Sequence, residues 1–293
     1  MNFTPEEILQ KLTYSFTFFM LGVLLLETIG TIIEFRKKYK KELVVNYTTG
    51  VFSLLTVGLI KTYIITKLLF IVYEYRIFDL SLKWHVWLGA FLAYTFYDYL
   101  SHLLYHRVRI LWCFNATHHS VQYMHSSAGF RVSVLNIFSA HGLLLLLPFF
   151  GLHPVTYFLV YTLAKFWGVV LHINEKHVGK IGWLGYILVS PSAHQVHHGS
   201  NEIYIDKNYG EVVPWFDMLF GTYVTETEKP KYGTAYATEE LGFWDSQLFE
   251  FRRLHKDLEQ ETSWREKLKI IFYPPSYSKE KERATELTFA EIQ

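Results

Sequence analysis

Histidine recurs in this chain at spacings that suit metal ligation. His102 and His106 stand one helical turn apart, His118 and His119 are adjacent, and His194, His197 and His198 form a His-x-x-His-His run. Neutral imidazole is the commonest protein metal ligand, and separations of three or four residues place rings on one helix face. A structural zinc is satisfied by four ligands, so these seven histidines suggest two metal ions. His172 follows a long apolar stretch and is read as a further ligand, and His177, five residues on, as a tentative one. Asp98, one turn before His102, suits a carboxylate that takes the second ring N–H of a metal-bound imidazole and fixes its orientation. Asn115, three residues before His118, can offer its amide oxygen to a metal directly or through water; it can equally cap a helix or turn the chain. Pro191 and Gly199 bracket the third cluster as a short helix, proline suiting the first turn and glycine the exit. His85, His125, His141, His153 and His255 are isolated and read as packed or surface imidazoles, although His141 could line a substrate path.

The elements that must carry these ligands are membrane helices. Of 293 residues, 51% are hydrophobic and 18% aromatic at a net charge of +1, which excludes a disordered chain and a nucleic-acid partner. The lone Cys113 rules out an intrachain disulfide framework and points to a reducing compartment. About 20 apolar residues cross a bilayer, and Tyr14–Ile33, Val51–Tyr73 and Trp84–Leu104 each qualify, with Lys61 and Lys67 weakening the second. Val132–Leu171, broken by Pro148, Gly151 and Pro154, reads as a helical hairpin that either crosses twice or only dips into the bilayer, with both ends on one side. Arg36, Lys37, Lys38, Lys40 and Lys41 follow the first span and place that loop in the cytoplasm. Counting spans from there brings every histidine cluster to the cytoplasmic face. Beyond Glu226 the chain turns polar, and Leu248, Phe251, Leu254 and Leu258 mark a helix face packed on the parent domain. The expected fold is all-α: a polytopic membrane helical bundle with a cytoplasmic, histidine-rich di-metal cap. It is one domain over residues 1–293, with N-terminal spans to 97, a histidine-motif region over 98–223 and a cytoplasmic tail over 224–293.

The motifs Asp98-x-x-x-His102-x-x-x-His106-Arg107, Trp112-x-x-Asn115-x-x-His118-His119-Ser120 and Ala128-Gly129-Phe130-Arg131 resemble the membrane fatty acid hydroxylase and sterol desaturase superfamily. Pro191-x-x-His194-x-x-His197-His198-Gly199-x-Asn201, Tyr204-x-Asp206-Lys207-Asn208-Tyr209-Gly210 and Trp215-Phe216-Asp217-x-x-Phe220-Gly221-Thr222 are most similar to its alkylglycerol monooxygenase branch. The resemblance implies that His102, His106, His118, His119, His172, His194, His197 and His198 hold two iron ions, which with dioxygen oxidise a C–H bond of a lipid. It also raises a tetrahydropterin as reductant. Asn115 departs from the pattern, standing where most relatives have histidine; His125 and Arg107 depart from that branch, which has asparagine and glutamate there.

Zinc lacks redox chemistry, yet it outcompetes ferrous iron at all-nitrogen sites, so purified protein could carry zinc. The expected function is therefore a di-iron, dioxygen-dependent membrane oxidoreductase that hydroxylates or desaturates a lipid or other apolar substrate, with an electron donor. The alternatives are a zinc-dependent hydrolase, a metal carrier and a catalytically silent relative.

Overall fold

A computed structural model describes residues 18, 22, 25–30, 32–33, 39–80, 83–139, 142–178, 180–234, 239 and 241–277. Most of the expected first span, the basic residues Arg36, Lys37 and Lys38, and His141 lie outside the described residues. Helices and turns make up the described architecture, with no strand among those residues. Among the described residues, two helices are long and apolar enough to cross a membrane, α1 (Lys40–Glu74) and, further on, Pro154–Leu171.

Helix α1 extends the expected span at its N-terminal end and widens to π geometry over Leu54–Lys61. Asn46, Thr49, Ser53 and Lys61 are buried and meet protein rather than lipid, whereas Lys67 is exposed. Asn46 donates to Ser127 Oγ at 3.0 Å and accepts from Arg131 at 3.1 Å, and the Lys61 ammonium donates to Ser139 Oγ at 2.8 Å. Gly50 lets this face close: a β-carbon there would stand 2.9 Å from Cβ of Phe130. The opposite face exposes Val51, Leu55 and Leu59.

The expected Trp84–Leu104 span is a continuous helix, α2 (Trp84–Arg107). It is long enough to cross but is not among the sufficiently apolar helices; its Tyr94, Thr95 and Tyr99 are buried against protein while Trp84, Leu88, Leu92 and Phe96 face outward. After Val108 the chain re-enters helix as α3 (Arg109–His119).

Val132–Leu171 departs from the expected hairpin, because only its return limb, α4 (Pro154–Leu171), is a long helix. The first limb is a string of tight turns, and Ser126–Phe138 meets Leu143–Phe149 at a 93° bend. Local side-chain bonds offer the backbone an alternative to helix here: Ser133 Oγ accepts from Leu135 N–H, and Ser139 Oγ donates to the carbonyl of Asn136. Pro154 then opens α4 at its first position, where its missing N–H costs nothing, and His153 accepts from Val155 N–H as the cap.

The third histidine cluster lies on α5 (Pro191–His197), followed by α6 (Trp215–Phe220), α7 (Phe243–Gln260) and α8 (Trp264–Phe272). The last two pack on α3 through Cys113, Leu254 and Ile270, with Ile110, Phe251 and Leu258 around them. Amphipathic spacing in the tail therefore covers the parent helices, as its periodicity implied. The buried Arg109 fixes that contact, facing Glu250 at 3.2 Å and Asp257 at 3.5 Å and donating to the carbonyl of Pro275 at 3.1 Å.

Candidate metal centre

The three histidine clusters and His172 converge as two interleaved quartets. His102, His106, His119 and His197 form one; His118, His172, His194 and His198 form the other. Within each, one ring nitrogen from every histidine lies within 4.8 Å of the rest. The split runs through adjacent residues. His118 and His119 point to different quartets, as do His197 and His198, because successive side chains on a helix diverge by about 100°. Ring centroids of His119 and His198 lie only 4.4 Å apart, so the two quartets abut.

The donor set fits metal ions. In the second quartet, Nε2 of His172 lies 3.2 Å from Nε2 of His118 and 3.0 Å from Nε2 of His194, three lone-pair-bearing atoms aimed at one another. Nε2 of His119, Nε2 of His197 and both ring nitrogens of His198 are buried without a hydrogen-bond partner. A buried polar atom left unpaired costs about 1–3 kcal/mol, and a cation at the centre of each quartet would remove that cost. Burial, reinforced by neighbouring imidazoles, pushes His118, His119, His194, His197 and His198 well below the usual histidine range. Burial lowers His172 to about 4. The rings are thus held neutral, the form that ligates.

Orientation comes from a source not recognised in the sequence. His102 Nδ1 meets the carbonyl oxygen of Tyr209 at 2.7 Å, and His197 Nδ1 meets that of Lys207 at 2.9 Å. These alternate carbonyls face the quartet because Asp206 (φ 60°) and Asn208 (φ 54°) adopt left-handed backbone, which Asp and Asn tolerate better than most residues. Asn208 is pinned through its amide, which donates to Ala193 and Val224 carbonyls and accepts from Val224 N–H. Asp217 receives the N–H groups of Tyr209 and Gly210 at 2.8 and 2.7 Å. Gly210 is required, since a β-carbon would come within 2.4 Å of the Val213 carbonyl oxygen. His172 Nδ1 is held by the Gly168 carbonyl at 2.6 Å, one turn back on α4. The Asp-x-Asn pair was the available signal.

Asp98 does not take the orienting role expected of it. Its carboxylate lies 3.7 Å from Lys165, which also bonds Glu211 at 2.5 Å, and the carbonyl of Tyr209 occupies the ring nitrogen that Asp98 was to hold. The carboxylate nearest His106 is Asp206, 3.7 Å from Nδ1 and 3.4 Å from Arg107. Asn115 points inward, its Nδ2 3.0 Å from Nε2 of His106. His177 is exposed and belongs to neither quartet. His125 is buried, 3.9 Å from Glu27 and bonded to Ser127. Glu27 in turn accepts from Ser126 N–H at 2.8 Å and Asn174 N–H at 3.1 Å, tying together segments near His119 and His172.

Residues 87–222 match the family model described as fatty acid hydroxylase. Alkylglycerol monooxygenase of Homo sapiens is 34% identical over 195 residues, which is 64% of this chain and 42% of that protein. The Danio rerio alkylglycerol monooxygenase is 28% identical over 292 residues, 96% of this chain and 63% of the relative. Delta(7)-sterol 5(6)-desaturase of Saccharomyces cerevisiae is 28% identical over 177 residues, 55% of this chain and 41% of the relative. The chain spans about half the length of the curated relatives it matches. No solved structure matches it.

Proposed function

We propose that this chain, whose residues 87–222 form a fatty acid hydroxylase domain similar to alkylglycerol monooxygenases and sterol desaturases, is a di-iron membrane monooxygenase that hydroxylates a lipid or other apolar substrate. The observation that carries this reading is the pair of all-histidine quartets, eight imidazoles whose ring nitrogens converge, with Nε2 of His119 and His197 and both nitrogens of His198 buried and unpaired. Iron held there supplies redox chemistry with dioxygen, which zinc cannot. The overall change inserts one oxygen atom of dioxygen into a C–H bond and reduces the other to water, consuming two electrons and two protons from an external donor. A tetrahydropterin is the donor class implied by the alkylglycerol relatives.

The chain's own residues bind, orient and exclude water. His102, His106, His119 and His197 would hold one ion, and His118, His172, His194 and His198 the other. The carbonyls of Tyr209, Lys207 and Gly168 each face a ring Nδ1 and would hold three of these rings in orientation. Burial keeps the quartets dry, which strengthens every electrostatic interaction within them. A cytoplasmic position for the centre is supported by the basic run Arg36, Lys37, Lys38, Lys40 and Lys41 in the sequence, through the positive-inside rule.

The reading is tested with iron-loaded protein in lipid vesicles, given a reduced tetrahydropterin and isotopically labelled dioxygen. A lipid alcohol carrying the label is expected. An unlabelled product lacking two hydrogens would indicate desaturation, the outcome that the sterol desaturase relatives favour. Hydrolysis that proceeds without dioxygen would overturn the oxidative reading in favour of a zinc-type hydrolase.

Asn115 sits beside His106 Nε2, the nitrogen opposite the one that faces Asp206, and so borders the first ion's position. Asn115→Ala is expected to weaken retention of that ion by about 10- to 100-fold, the range typical of residues that support a ligand, while Asn115→His should retain it. Competition with a calibrated chelator measures this. An alanine variant with parental affinity would make Asn115 a simple helix residue.

A further inference from the structure

Two segments that contribute no histidine to either quartet lie side by side. Val189 N–H donates to the Val212 carbonyl at 2.9 Å, and Trp215 Nε1–H donates to the carbonyl of Tyr186 at 3.0 Å, joining the turn Gly182–Tyr186 to α6. Together they present Trp183, Leu184, Tyr186, Trp215, Leu219 and Phe220 outward, with Trp183 70% and Leu219 71% exposed. Burying one such side chain is worth about 1.5–3 kcal/mol, so a cluster of six is a surface shaped for an apolar cover.

Its level along α2 identifies that cover. Phe216 meets Phe96 with ring centroids 5.1 Å apart, and Phe220 stacks on Tyr99 at 5.5 Å. Trp84, Leu88, Leu92 and Phe96 recur every fourth residue and are all exposed, making one continuous apolar stripe. At about 1.5 Å per residue, Phe96 lies about 18 Å and Tyr99 about 22 Å along the helix from Trp84. A hydrocarbon core about 30 Å thick that begins at Trp84 ends near Leu104. α6, seated beside Phe96 and Tyr99, therefore falls short of the far headgroups. The exposed Lys176 and Lys180 precede the turn, where basic side chains meet headgroups, and Trp and Tyr are the residues that favour that boundary.

We propose that Gly182–Tyr186 and α6 form an apolar shelf sunk into the leaflet on the metal-centre side, a lipid contact separate from the spanning helices. Asp217 of α6 also holds the loop whose carbonyls orient His102 and His197, so the shelf joins the bilayer to the centre by one rigid connection. The contact itself does not depend on the proposed oxidation.

The test uses nitroxide labels on full-length protein in phosphatidylcholine and phosphatidylglycerol vesicles. Cys113 is buried and escapes labelling. Trp183→Cys and Leu219→Cys carry the probes, with Leu88→Cys as the lipid reference and Lys256→Cys as the aqueous one. Probes at 183 and 219 are expected to collide with dioxygen in preference to a water-soluble nickel chelate, as at 88, and to lie about 5–10 Å beneath the headgroups. Water-like collisions at both positions, or shielding from both reagents by a protein partner, would overturn the shelf. The label at 88 combined with Leu219→Ser reports whether α2 remains in lipid, so loss of the fold is not mistaken for exposure. Measurement needs no turnover, and failure of the oxygenase reading leaves it intact.

Discussion

His198→Ala should remove at least one of two bound metal equivalents and abolish product formation. Both ring nitrogens of His198 are buried and unpaired by any hydrogen bond, and its ring lies against His118 at 4.5 Å and His119 at 4.4 Å. Alanine would delete one of the four imidazoles of the second quartet and open a void between the quartets, weakening both of the proposed ion positions. Residues that merely support ligands contribute about 10- to 100-fold, and loss of a ligand itself should exceed that range. Metal analysis after iron loading, beside product yield, reads the effect. His177→Ala is the matched control: exposed and outside both quartets, it should leave both quantities at parental values. A His198→Ala protein with two tightly bound ions would remove this residue from the centre.

Arg109→Ala is expected to be the most damaging change remote from the quartets. Arg109 and Glu250 are each about 1% exposed, and the guanidinium faces Glu250 and Asp257 while closing on the carbonyl of Pro275. Removing one partner of a buried ion pair costs about 3–5 kcal/mol because the other charge stays buried and uncompensated. Arg253, which also bonds Glu250 at 2.9 Å, offsets part of that loss. α7 and α8 should loosen first, since their remaining grip on α3 is the small cluster of Cys113, Leu254 and Ile270, the Phe114–Phe251 ring contact and the bond from the Thr117 hydroxyl to the Ser246 carbonyl. Protease cleavage within Phe243–Phe272, together with thermal unfolding in detergent, measures the change. Parental resistance in both assays would show that apolar packing alone holds these helices.

Much of this architecture is legible in residue patterns. Spacings of three and four among His102, His106, His194 and His197 identify helix-borne clusters, and apolar length identifies α1 and α4. The division of neighbours between quartets is not legible, because it depends on how distant helices are placed. Asp98 shows the same limit. Its spacing from His102 is suitable, but Lys165 and Glu211, brought in by tertiary packing, claim its carboxylate. The ring-orienting groups are backbone carbonyls, which every residue has, so their role escapes any reading of side-chain types. The bend in the limb that begins at Val132 is not legible from apolar content, because it depends on local bonds of Ser133 and Ser139 that favour turns.

The interleaving of the quartets sets an order of assembly during biosynthesis. Each quartet takes residues from the first half of the described chain and also needs His197 or His198, so neither can be completed while the ribosome is still making the return helix. About eighty residues separate His119 from His197, several seconds of synthesis at about 5–20 residues per second. During that interval, His102, His106, His118 and His119 are present without their full complement of partners. Membrane insertion of α1 and α4 can therefore begin before either quartet is complete, and any ion the quartets hold would act as a late closure on helices already delivered to the bilayer.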